Sequence, residues 1–311
     1  MFKKLALNGV FIATIAHGLI GTSLVWDKVL LERRDTRNLV SYVFWLGAIS
    51  IFGLVLIPFG FKLPHFKIAA MAFGAGLLDL IASYFYYWAL KSGEASEELA
   101  AMGGFAPVAT ALISIPLLKQ PLGGQLMGFI LMTSGGFLMF FAEKAPWQKM
   151  LPKILIASGA FGMTDVLQKM VFDRTNFVTG YVFFTIGTFI GAAALLVPPS
   201  WRQQIFAHSE GADPRSKFWY MVNRVIAGVG SFLVVFAVSR TSPALVEAIS
   251  GVRYAIIFAA AFAITVWKPS WFREDFGKRA LAAKAVATAL VIAGLISVGL
   301  RGGHGGSSGP H

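Results

Sequence analysis

The sequence predicts an all-α membrane protein of about ten transmembrane helices in two inverted five-helix repeats. Three observations lead there. The first is composition: the 311 residues are 56% hydrophobic and 14% charged, with mean hydropathy +0.69. A soluble domain is nearer half apolar and a quarter charged. The second is that apolar runs recur at the length needed to cross the hydrocarbon core, about 20 residues. The third is a stretch written twice. Residues 25–33 (VWDKVLLER) return as 166–174 (VLQKMVFDR), with Val25, Lys28 and Arg33 answered at one offset by Val166, Lys169 and Arg174.

Taken in order, the expected spans lie near 5–30, 38–58, 67–90, 96–118, 122–142, 151–172, 177–197, 217–240, 243–266 and 280–300. The first follows Met1-Phe2-Lys3-Lys4, as a signal peptide would. Its apolar run is too long for a signal h-region and it has a repeat partner mid-chain, so it reads as a retained span. The repeat continues past the opening stretch. Tyr42, Gly47 and Pro58 are answered by Tyr181, Gly187 and Pro198 after a small slip of register. Ala89, Gly103 and Pro121 are answered by Ala237, Gly251 and Pro269 at one offset. Residues 1–142 and 151–301 are therefore expected to be two five-helix units, with 143–150 connecting them and a Gly/Ser-rich, disordered tail over 302–311. An odd number of spans per unit makes the second copy enter the bilayer upside down relative to the first. Breakers such as Pro64, Pro146 and the pair Pro198-Pro199 fall between spans, and 198–217 and 267–280 read as longer loops.

Composition also excludes several classes. Cysteine is absent, which removes disulfides, thiolate nucleophiles and cysteine metal sites. No zinc spacing, phosphate-binding loop, dinucleotide fingerprint or Ser-His-Asp order stands in the strand–helix context it needs, so no cofactor, metal or catalytic group is expected. The formal charge of +12 resides in short loops between apolar runs. That is the pattern of membrane topology, and no nucleic-acid partner is expected. Counting those loop charges places both termini outside the cytoplasm.

Several stretches resemble EamA-type transporters of the drug/metabolite transporter superfamily. They are Ala89–Ser96, Gly104-Phe105-Ala106-Pro107-Val108 and Gln125–Leu131 in the first half, with Asn223–Gly228 and Glu274–Arg279 in the second. The likeness runs from Leu5 to Leu300. It implies a multi-pass protein of the cell membrane, ten helices and a central cavity lined by the first four helices of each unit. It also implies export or exchange of a small metabolite and both termini inside, against the charge count. The chain departs from the pattern at Lys119-Gln120, where the family often has a glutamate, and has no glutamate inside its first helix.

Charge in the bilayer centre costs about 2.5–3.5 kcal/mol per residue on insertion scales, so each such residue needs a reason. Asp79, Asp165, Arg253 and His17 fall near the middle of spans three, six, nine and one. Asp165 and Lys169 are four apart with the acid first, the favourable order for a same-face pair. They either line a polar cavity with Arg253 or form a structural pair, Arg253 then bonding to carbonyls or to Asp79. Lys28 and Lys169 either meet an anionic solute from opposite ends of a pathway or snorkel. His17 either couples transport to protons or bonds to a neighbouring helix. Asn223 and Tyr254 complete the pathway candidates. Glu247 reads as ordinary acid near a helix entry.

The expected function is secondary transport of a small polar or amphipathic metabolite, anionic or zwitterionic, by alternating access. The lipid bilayer is its setting, a proton or counter-ion an accompanying partner, and a monomer or homodimer the assembly. The alternative is an intramembrane enzyme or lipid scramblase with a His–carboxylate pair at a lateral groove.

Overall fold

The computed structural model describes residues 2–31, 39–90, 95–142, 147–206, 214–267 and 278–302. The tail expected over 302–311, most of the 267–280 loop and residues 143–146 of the connector lie outside the described residues, Gly302 excepted. The described chain is helical: α1 (Phe2–Leu31), α2 (Leu39–Ile49), α3 (Phe66–Leu90), α4 (Ala95–Leu118), α5 (Leu126–Ala142), α6 (Trp147–Phe172), α7 (Phe177–Ala194), α8 (Pro199–Phe206), α9 (Pro214–Arg240), α10 (Pro243–Ile249), α11 (Gly251–Trp267) and α12 (Lys278–Gly302). Among the described residues, ten segments are long and apolar enough to cross a membrane. A helix satisfies its own backbone, which hydrocarbon cannot do, so nearly every residue at span depth is helical.

Three expectations change in detail. The second span turns from α-helix to a 3-10 stretch over Ser50–Phe59. There the Ser50 hydroxyl donates to the Gly47 carbonyl (2.6 Å) and the Thr185 carbonyl (3.0 Å), competing with the regular ladder. The ninth span is two helices, α10 and α11, meeting in a tight turn at Ser250. The connection expected as loop over 198–217 carries α8, whose Ile205 is buried. It begins at Pro199, whose fixed φ suits a first helical turn.

Helices pack where side chains are small. α1 lies along α9, α3 along α6 and α7, α4 along α6 and α5, and α5 along α12. In hydrocarbon no hydrophobic force drives helices together, so close backbone contact must supply the energy. On α5 and α12, a Cβ on Gly128 would lie 2.7 Å from the Gly294 carbonyl oxygen, and one on Gly294 2.8 Å from that of Gly128. On α4 and α5, a Cβ on Gly136 would overlap the Gly103 carbonyl. Exposed Phe52, Phe141, Leu112 and Val197 on the outer surface then face lipid.

Gly136→Ala is expected to destabilise the protein by about 1–3 kcal/mol, because the added methyl meets backbone. Gly228→Ala, on α9, finds no atom within 4 Å and removes a mid-helix glycine, so it is expected to gain up to about 1 kcal/mol. Thermal unfolding in detergent reads both; the opposite order would show that α4 and α5 do not meet at Gly136.

Candidate functional site

Five ionisable residues within the spans converge from five helices. Arg253 stands in the first turn of α11, just past the Ser250 turn, with its amide bonded to the Ser250 carbonyl (2.9 Å). α1 reaches it through Gly21: a Cβ there would lie 3.1 Å from Arg253 Cα and 3.2 Å from its carbonyl oxygen. One turn back on the same face of α1 is His17, fully buried. Arg253 Nε donates to His17 Nδ1 at 2.8 Å, and His17 Nε2 lies 3.0 Å from the Val246 carbonyl oxygen. An arginine Nε only donates, so Nδ1 accepts and the ring proton sits on Nε2, donating to Val246. One imidazole thus ties α1, α10 and α11 and fixes the plane of the guanidinium. The two terminal nitrogens of Arg253 have no protein partner among the described residues.

Acidic groups lie beside it. Asp165 of α6 is 8% exposed, and its carboxyl meets that of Glu247 on α10 within hydrogen-bonding reach, with Asp79 of α3 and Arg253 in electrostatic range. Asp79 also acts on Tyr181 of α7. The cluster therefore holds three carboxyls and one guanidinium around a neutral histidine.

Arg253, His17, Asp165 and Asp79 come together as expected residues, and Glu247 joins them unexpectedly. Its signal was its position inside the apolar run 243–260 rather than before it. Lys169 is a correction. It does not pair with Asp165 but reaches Asp173 (2.9 Å) and the Ser239 carbonyl (3.4 Å). Asp165 and Asp173 flank it one turn to either side, and Asp173 is 43% exposed, so the ammonium turns toward the water-facing end. Arg253 likewise bonds to His17 rather than to carbonyls or to Asp79. Asn223 clamps α9 to α1: its Nδ2 donates to the Ser23 carbonyl (3.2 Å) and its own carbonyl accepts from Ser23 Oγ (3.4 Å). Lys28 and Tyr254 stand on α1 and α11, and their side chains lie outside the described residues.

The helix pairs flanking the cluster differ. α3 and α7 touch backbone to backbone: a Cβ on Gly76 would overlap the Phe184 carbonyl, and one on Gly187 that of Phe73. The Thr188 hydroxyl donates to the Gly76 carbonyl across this contact (3.2 Å). α2 and α9 have no comparable packing among the described residues. Arg224 of α9 reaches across, donating to the Tyr42 hydroxyl of α2, with its guanidinium carbon 4.9 Å from the ring centroid. At the offset relating Ala89 to Ala237, Gly76 corresponds to Arg224, so glycine closes one pair and a long cation holds the other.

Ten apolar spans with an enclosed charged cluster define a multi-pass integral membrane protein. Residues 7–141 match the EamA-like transporter family, part of the drug/metabolite transporter superfamily, whose usual location is the plasma membrane. A solved crystal structure shares the fold at a TM-score of 0.64 and 16% identity, over 95% of this chain and 97% of that one. No curated protein matches the chain.

His17→Leu leaves Arg253 Nε without its acceptor and is expected to cost about 1.5–3 kcal/mol, the range of a hydrogen bond to a charged group. The His17→Leu/Arg253→Leu double variant should cost less than the two single changes summed, because each alone strands a partner. Unfolding in detergent measures the coupling; strict additivity would show that the contact contributes nothing.

Proposed function

We propose that the protein is a secondary transporter that carries a small carboxylate-bearing or zwitterionic metabolite by alternating access, with Arg253 as the group that receives the carboxylate. The observation that carries this reading is the guanidinium itself. It is held at Nε, and its terminal nitrogens are left for a ligand. A planar fork so oriented matches a carboxylate in two parallel hydrogen bonds. Holding the fork in place beforehand lowers the ordering cost that a flexible arginine would bring to binding.

Alternating access is supported by the unequal flanks. If 1–142 and 151–301 are two units related by a pseudo-two-fold axis, the α3–α7 and α2–α9 contacts are equivalent gates. Reciprocal packing fits that symmetry, since the first helix of each unit lies against the third helix of the other, α1 on α9 and α6 on α3. One gate is zipped by Gly76 and Gly187 while the other is spanned by Arg224 and Tyr42. Rocking one unit on the other would part the first and draw in the second, exposing Arg253 to alternate sides. The enzyme or scramblase reading needs a His–carboxylate pair, whereas the ring nitrogens of His17 engage Arg253 and the Val246 carbonyl.

In proteoliposomes tested with a panel of carboxylate-bearing and carboxylate-free metabolites, flux is expected only for members of the first group. Arg253→Lys keeps the charge but loses the fork, and should lower that flux about 10- to 100-fold, as losing a charge-assisted hydrogen bond would. Flux unchanged by Arg253→Lys and Arg253→Ala would remove Arg253 from the pathway.

A further inference from the structure

The part of the cluster farthest from the Arg253 fork has no role in that reading, and its chemistry is distinctive. Of the buried side-chain oxygens that lack a hydrogen-bond partner among the described residues, five lie on α4 and α6: Thr110 Oγ1 and Ser114 Oγ on α4, and Thr164 Oγ1, Asp165 Oδ2 and Gln168 Oε1 on α6. None of the five residues is more than 8% exposed. Hydrocarbon offers them nothing, and an orphaned polar atom there is destabilising unless it meets a ligand.

Register brings four of them together, while Thr164, two residues past Gly162, falls on the face of α6 turned away from α4. Ser158 Oγ donates to Met102 Sδ (3.4 Å), and a Cβ on Gly162 would lie 2.9 Å from Thr110 Oγ1. Both contacts advance in the same direction along the two helices, so α4 and α6 run parallel past this point. Thr110 therefore sits at Gly162, one turn before Asp165 on the same face. Ser114, one turn further along α4, comes level with the turn of α6 carrying Asp165 and Gln168. α10 packs on both helices and adds the Glu247 carboxyl opposite Asp165.

The set is rich in oxygen acceptors and short of cations. The charged and titratable groups facing Asp165 are Asp79 from α3, Glu247 from α10 and Arg253 from α11. On its own helix, Lys169 is turned to Asp173. Two carboxyls within hydrogen-bonding reach of each other cannot both be ionised without a proton or a cation between them, and the one guanidinium nearby is already bonded to His17. Carboxylate, amide and hydroxyl oxygens suit a hard cation.

We propose that Thr110, Ser114, Asp165, Gln168 and Glu247 form a Na+-binding site at the junction of α4, α6 and α10. Through Glu247 the ion is linked to Arg253. With Na+ bound, the carboxyls no longer compete for the guanidinium, and the fork is free to take an anionic group. This link rests on the reading of Arg253 as the solute site; the ion site itself does not.

The test uses the full-length protein in detergent at fixed pH and ionic strength, with NaCl replaced stepwise by KCl or choline chloride and no solute present. The melting temperature is expected to rise with Na+ and to saturate, as a ligand bound only by the folded state requires, and to rise neither with K+ nor with choline. Asp165→Asn should abolish the rise, and Ser114→Ala, a milder change that keeps the fold, should shift its midpoint about tenfold to higher Na+. A melting temperature indifferent to Na+, or equal in Na+ and K+, would overturn the site. So would a Na+ response unaltered in Ser114→Ala. A protein that binds Na+ yet carries no carboxylate-bearing solute would leave the ion site standing and remove only the transport reading of Arg253.

Discussion

An arginine inside the bilayer is the constraint that the rest of the structure accommodates. Insertion of Arg253 costs about 2.5–3.5 kcal/mol at the centre of a span, and the surrounding sequence is arranged around that cost. The Ser250 turn ends α10 and starts α11 so that Arg253 lies in a first helical turn. Gly21 lets the α11 backbone come against α1. His17, one turn away, presents a lone pair to Nε, and its other nitrogen is held by the Val246 carbonyl. The carboxyls of Asp165 and Glu247 lie in electrostatic range of the guanidinium. Together these choices solvate the cation by protein rather than by water while leaving the four N–H donors of its two terminal nitrogens unspent.

The same economy shapes the flanks. Two helices with glycine at the crossing gain dispersion and weak backbone contacts over a short distance; one turn of side chain would forbid it. α3 and α7 use that device at Gly76 and Gly187. The corresponding place on α9 is Arg224, which cannot pack that way and instead reaches Tyr42. The two contacts are therefore unlike, and the close one is the one made of glycine.

Much of the fold was legible because hydropathy is local. Each span declares its own length, and the repeat of residues 25–33 at 166–174 needs no tertiary information. What was not legible depends on contacts distant in the chain. The break at Ser250 is invisible to hydropathy because α10 and α11 are both apolar. Lys169 has an acid one turn before it and another one turn after; the helix rule favours Asp165, and exposure at the end of α6 selects Asp173. The bond from His17 to Arg253 spans most of the chain, and nothing near either residue announces it. Glu247 reads as a helix-entry acid until α10 is seen to end in the same junction as α6.

The most direct test of the rocking of one unit against the other uses the absence of cysteine. Spin-label pairs at the exposed positions Ile81 and Ile190, on α3 and α7, and Trp45 and Val225, on α2 and α9, report the separations of the two helix pairs. Each pair is introduced by cysteine substitution and its distance measured by pulsed electron resonance with and without Gly76→Leu, which wedges α3 from α7. The expected result is reciprocal: the Ile81–Ile190 distance lengthens and the Trp45–Val225 distance shortens in the same samples. Lengthening of the first with no change in the second would contradict rigid rocking about the Arg253 cluster.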